Sequence, residues 1–164
     1  KALEESSALV TSAPDDPYFL ELHGQILLES GQPTHAVAPL RKAVELTGNQ
    51  PLIAAIFGHA LIATEDKANL EEATTVLKAA VTKDNQNPFA WYQLGVVYEQ
   101  QGDTARAALA SAERYLMEGA PQFALPNAQT AMAGLPEYSP DWIRAQDINM
   151  VAEAQLVQLR KKRR

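Results

Sequence analysis

Three glycines set the frame for this chain. Gly24, Gly58 and Gly95 each stand three positions before a large apolar or aromatic residue: Leu27, Leu61 and Tyr98. Gly24 and Gly58 are 34 residues apart, and Gly58 and Gly95 are 37 apart. A second pattern runs behind the first. Ala36, Leu40 and Ala43 recur as Ala73, Leu77 and Ala80, and the third unit puts Ala107, Ser111 and Arg114 in those places, a looser match. Steps of four and three put each trio on one helical face. A chain with such a period folds as a series of like helical units that bury their apolar faces against their neighbours. The three extra residues of the second interval fit the turn at 64–69, where an insertion is tolerated.

Trp91-x2-Leu94-Gly95-x2-Tyr98, followed by Gly102, resembles the front half of a tetratricopeptide (TPR) repeat. His23-Gly24-x2-Leu27 with Gly31, and Phe57-Gly58-x2-Leu61, fall in the same phase. The resemblance spans residues 17–136. It implies an all-α fold: a TPR-type helical-hairpin solenoid with a capping helix at its C-terminal end. The glycines are expected where two helices of a hairpin cross closely. Trp91 is expected to be buried between units, where truncation to Ala would cost roughly 3–5 kcal/mol.

The helices follow in order. Ala2 to Thr11 has the phase of the second helix of a repeat, so the chain reads as starting halfway through a repeat, inside a longer protein. Residues 1–16 are then that truncated repeat. The helix is expected to lack a partner and to expose an apolar face that a second chain could cover. Tyr18 to Ser30 and Thr34 to Leu46 form one hairpin, Leu52 to Thr64 and Leu70 to Lys83 the next, Phe89 to Gln101 and Thr104 to Glu118 the third. Gly31 reads as a glycine just past a helix end. Gly102 and Gly119 are only half a period apart, so the helix from Thr104 is expected to end one hairpin and begin another. Ala120 to Ala133 follows. Pro39 and Pro126 are expected to distort or delay their helices.

Residues 137–164 read as a capping helix and basic tail. Ser139 and Pro140 start the helix, and Trp142, Ala145, Ile148, Ala152, Leu156 and Leu159 form its apolar stripe. The tail Arg160-Lys161-Lys162-Arg163-Arg164 carries +5, so the rest of the chain sums to −11 from a formal net charge of −6. That acidity argues against nucleic acid as a partner. The tail itself reads as solvated chain at a terminus.

The sequence holds no cysteine and three histidines, His23, His35 and His59, none at metal-ligand spacing. His23 reads as a core-edge histidine with a backbone partner. No nucleophile motif, phosphate loop or dinucleotide fingerprint occurs. This stretch is therefore expected to be non-enzymatic, without a cofactor or metal of its own. No apolar run is long enough for a transmembrane helix.

The first helices of TPR units line a groove, and counting from the motif names its residues. They are Tyr18, Glu21, Gln25 and Leu28, then Leu52, His59 and Ile62, then Phe89, Tyr92, Val96 and Glu99. Glu21, Ala55 and Tyr92 occupy the place where carboxylate-gripping TPR domains carry lysine, so that mode of binding is not expected. An apolar and aromatic floor with acidic residues suits an extended or helical partner segment with apolar anchors.

A closer resemblance rests on Ser111-Ala112-Glu113-Arg114-Tyr115-Leu116, Gly119, Gly134-Leu135-Pro136 and the run from Ser139 to Ile148. Asp15 to Phe19 and Glu21 to Gln25 add to it. These segments resemble the C-terminal end of the bacterial periplasmic zinc metallopeptidases in which an HExxH domain precedes TPR repeats, the outer-membrane assembly-enhancing protease family. The resemblance implies an upstream protease domain holding the zinc, a periplasmic setting, and protein partners among outer-membrane proteins or their assembly machinery. The alternative is a stand-alone TPR scaffold, or a self-associating structural protein with no enzyme attached.

Overall fold

The computed structural model describes residues 1–162, and Arg163 and Arg164 of the basic tail lie outside the described residues. Among the described residues there are nine α-helices and no strand. They are α1 (Ala2–Ser12), α2 (Pro17–Glu29), α3 (Pro33–Leu46), α4 (Pro51–Ala63), α5 (Leu70–Lys83), α6 (Pro88–Gln100), α7 (Thr104–Met117), α8 (Pro121–Gly134) and α9 (Pro140–Lys162). A short 3-10 turn, Lys67–Asn69, occupies the insertion ahead of α5. The chain divides into two compact units, Lys1–Asn85 and the remainder from Gln86 onward.

Local chemistry fixes the helix ends. Six helices begin on proline, whose missing N–H is no loss in a first turn. Side-chain oxygens of Asp16, Gln50, Asn87, Asp103 and Ser139 accept first-turn amides. The exits are equally regular. Gly31, Gly48, Gly102 and Gly119 take positive φ. The next residue's N–H then reaches back to Leu27, Val44, Tyr98 and Tyr115 respectively, each at 2.9 Å.

Both internal prolines sit in unbroken helices. Pro39 lies inside α3 and Pro126 inside α8, so neither delays its helix as expected. Each deprives one carbonyl four residues earlier of its amide, on His35 and Gln122. Both residues are exposed, so water can take over those bonds.

In the first unit α1 packs on α2, α2 on α3, α3 on α4 and α4 on α5. The core holds Leu20, Leu27, Leu40, Phe57, Leu61 and Leu77. The interlock is tight. A methyl group on Gly24 would fall on Leu40, and one on Gly58 would stand 2.5 Å from Leu77 Cγ. Both leucines are fully buried and have nowhere to move. The first helix, α1, lies on α2 and buries Ser6 there, while its Leu9 stays 37% exposed. Ser6 Oγ sits 2.9 Å from His23 Nδ1, so the partner of His23 is a hydroxyl rather than a backbone group. Arg41 donates through Nε and Nη2 to both carboxylate oxygens of Glu72, tying α3 to α5. This pairing lowers the pKa of Glu72 and raises that of Arg41.

In the second unit α7 packs against both α6 and α8, and α9 packs on α8 and α7. One helix therefore closes one hairpin and opens another, as the half-period spacing predicts. The core is rich in alanine: Ala108, Ala112, Ala124, Ala128, Ala131, Ala145 and Ala152. Small residues let α7, α8 and α9 approach closely. The stripe of α9 is buried at Ala145, Ile148 and Ala152 but not beyond, where Leu156 is half-buried and Leu159 exposed. Trp91 is also only partly buried, so the full truncation cost expected of an enclosed tryptophan does not apply.

Arg144 of α9 grips both carboxylate oxygens of Glu113 on α7. The Glu113 side chain is 3% exposed and that of Arg144 49%. Removing the cation strands a buried carboxylate. Arg144→Ala is expected to destabilise the protein by roughly 2–4 kcal/mol, the low end reflecting solvent access on the Arg side. The glycines make a sharper contrast. Gly58→Ala should lower the urea midpoint, because it forces Leu77 out of place. Gly95→Ala meets nothing nearer than 3.6 Å and should raise stability by about 0.5–1 kcal/mol through helix propensity alone. Equilibrium urea unfolding of the three variants checks all three expectations.

Candidate functional site

The third hairpin departs from the interlock of the first two. Ser111 stands where Leu40 and Leu77 stand, facing the last of the three glycines, with its Oγ 3.7 Å from where a Gly95 methyl would lie. Serine is far smaller than leucine, so no leucine fills the space beside Gly95, which is itself buried. A groove of about 240 Å³ occupies it, lined by both Gly95 and Ser111. The floor is α7, and the walls are α6 with Tyr92, Val96 and Glu99 and α8 with Asn127 and Thr130.

Arg114 marks one end of this groove. Its guanidinium lies 4.1 Å from the centre of the Tyr115 ring and 5.5 Å from that of Tyr92. Tyr115 in turn packs against Phe123, with ring centres 5.3 Å apart. Arg114 Nη1 donates to Glu118 at 3.1 Å. The cation is thus held between rings, which spares a partner the cost of ordering it. Asn127 and Thr130 donate to the carbonyls of Phe123 and Pro126 within α8, so their side chains are held in place as well.

Of the eleven groove residues named from the sequence, Tyr92, Val96 and Glu99 are brought together in this groove. Phe89, on the same helix, is 40% exposed but outside the lining. In the first unit Tyr18 and Leu52 are exposed, Glu21 and Leu28 are half-buried, and exposed Gln25 donates to Glu29 at 2.9 Å. Ile62 is corrected: at 7% exposure it belongs to the core and offers no surface to a partner, and Ala55 is buried likewise. His59 is half-buried, and burial pushes its pKa down. Sequence counting missed Ser111, Arg114, Asn127 and Thr130, because it assigned the groove to first helices only. The signal for two of them was present in the loose match at 111 and 114.

No group of three or more His, Asp or Glu that could hold a metal occurs among the described residues, so the chain supplies no such ligand set there. No described helix is long and apolar enough to cross a membrane.

A family profile described as TPR repeat matches residues 66–102, and a second, described as tetratricopeptide repeat, matches 90–116. The second spans α6 and α7, the hairpin that carries the groove. Residues 66–116 of this chain match tetratricopeptide repeats. No curated protein matches the sequence. Among solved structures, the TPR chain is similar to the crystal structure of MamA, with TM-score 0.67 and 20% identity over 97% of this chain and 89% of that one. It is also similar to MamA from Desulfovibrio magneticus RS-1, with TM-score 0.66 and 17% identity over 97% and 82% of the two chains. TTC0263, a thermophilic TPR protein of Thermus thermophilus, matches with TM-score 0.53 and 22% identity over 94% and 89%. At these identities the likeness is one of fold, the TPR-type helical-hairpin solenoid. TPR repeats are a protein-interaction architecture.

Two measurements follow. Ser111→Leu should restore the interlock of the other hairpins, raising stability by about 1 kcal/mol through added apolar burial while closing the groove to any bound segment. Calorimetry alongside a binding assay reads both effects. The lowered pKa of His59 means that the unfolded chain takes up a proton first as pH falls below about 6.5. The unfolded state then binds more protons than the folded one, so stability declines with falling pH in that window. His59→Gln should flatten that part of the slope in urea titrations run between about pH 5 and pH 7.5.

Proposed function

We propose that this TPR chain is the recruiting module of a periplasmic zinc metallopeptidase, holding substrates or outer-membrane assembly partners near a protease domain that lies upstream. The observation that carries the binding part is the groove over Gly95 and Ser111, with Tyr92, Val96 and Glu99 on one wall and a pre-positioned Arg114 at its end. The metallopeptidase part is supported by the resemblance of residues 111–116, Gly119, 134–136 and 139–148, with 15–19 and 21–25, to that family. Two of those segments meet in the structure through the Glu113–Arg144 ion pair, so the resemblance covers residues that hold the second unit together. Zinc chemistry would be supplied by the upstream domain. This module would raise the local concentration of a protein segment there, with no bond made or broken by its own side chains.

The test uses the full-length protein in its own cell. A photo-crosslinking amino acid replaces Tyr92, and Thr75, an exposed residue of α5 away from the groove lining, serves as the control position. Adducts specific to position 92 that mass spectrometry identifies as outer-membrane proteins, or as components that assemble them, are the expected result. Equal adducts at both positions, or adducts at 92 with proteins of unrelated compartments, would sink the proposal.

A further inference from the structure

Helix α9 has two apolar faces. Ala145, Ile148 and Ala152 are buried in the core it shares with α7 and α8. Ile143, Met150 and Val157 recur every seven residues on another side, where they are 46%, 63% and 48% exposed. At 3.6 residues per turn Met150 stands about 160° round the helix from Ile148, so this second stripe points away from the core. A helix whose outer face meets only water is polar there. Here Asp147, Ala154 and Lys161 fall between and after the three large residues, and all six are exposed. Ile143, Asp147, Met150, Ala154, Val157 and Lys161 alternate steps of four and three, the spacing of a coiled-coil seam.

The charges along the seam restrict what can cover it. Asp147 lies toward its N-terminal end and Lys161 at its C-terminal end. Neither is in an ion pair among the described residues. Arg144, one turn before Asp147, is taken by Glu113. A parallel copy of the seam would set Asp147 against Asp147 and Lys161 against Lys161. An antiparallel copy brings each aspartate toward the lysine of the other helix. Ala154 then lies midway, where its small side chain lets the two backbones approach. A polar residue in such a seam fixes the orientation at some cost in stability. An anionic membrane surface would suit Lys161 but not Asp147 on the same face. We propose that α9 pairs antiparallel with the α9 of a second copy of this chain, along the stripe from Ile143 to Val157, with Asp147 of each copy meeting Lys161 of the other. The groove over Gly95 contains no residue of α9, so the pairing stands apart from the recruiting role.

Sedimentation velocity of the full chain over a range of concentrations reads the pairing. The mass is expected to rise toward that of a dimer by about 100 μM, and Met150→Glu to weaken the association at least about tenfold. Met150 is exposed, so the urea midpoint of that variant should stay at the wild-type value, which separates a lost interface from a lost fold. Direction is read by cross-linking, since the chain has no cysteine of its own. Asp147→Cys and Lys161→Cys chains, mixed and treated with a short bismaleimide, should form the mixed product, with little product from either alone. A monomer at every concentration, a dimer untouched by Met150→Glu, or Asp147→Cys chains that link to themselves as readily as to the other variant would each overturn the proposal. So would a chain that stays monomeric in solution and cosediments with phosphatidylserine vesicles unless Met150 is replaced, which would give the face to a membrane.

Discussion

Helices in the first unit nest because one of each pair presents no side chain where a leucine of the other arrives. Gly24 beneath Leu40 and Gly58 beneath Leu77 leave no room for even one carbon. That contact sets how closely the helices of a hairpin approach, and with it which residues around the glycine face inward. Phe57 and Leu61, on either side of Gly58, are buried for this reason. The second unit solves the same problem with alanine, at Ala112, Ala128, Ala131 and Ala145, which brings three helices together rather than two.

The candidate site is an exception to this rule. Ser111 replaces the leucine and, with Gly95, lines a groove. A repeat protein packs its units for stability, so a unit that gives up its interlock leaves space that stability alone does not explain. The polar groups around that space are held in place by Tyr115, Glu118 and the α8 carbonyls. The surroundings of Arg114 therefore fix its direction before any partner arrives.

Much of this architecture was legible in the sequence because it rests on short-range chemistry. Proline starts, glycine exits and the four-and-three spacing of alanine and leucine each act within a few residues. The helix bounds follow to within a residue or so, and the double role of α7 follows from Gly102 and Gly119. What stayed hidden depends on contacts between distant residues. Nothing local says that Glu113 meets Arg144, or that Ser6 rather than a backbone group meets His23. The burial of Ile62 was missed because the motif gives a helical phase and not the depth of each position. The two prolines do not delay their helices because the cost of a lost hydrogen bond depends on whether water can replace it, and His35 and Gln122 are both exposed. At the groove, Ser111 and Arg114 stood only as a looser match to the repeat, whereas in the structure both line the groove.

The sharing of α7 between two hairpins also bears on how this part of the chain opens and closes. In an array of separate hairpins each unit can fray while its neighbour stays folded, and protection against amide exchange steps down from repeat to repeat. Here α7 packs on α8 and is gripped by α9 through Glu113 and Arg144, while α6 packs on α7. These three helices, α7, α8 and α9, are therefore expected to open together, with α6 free to fray from them first.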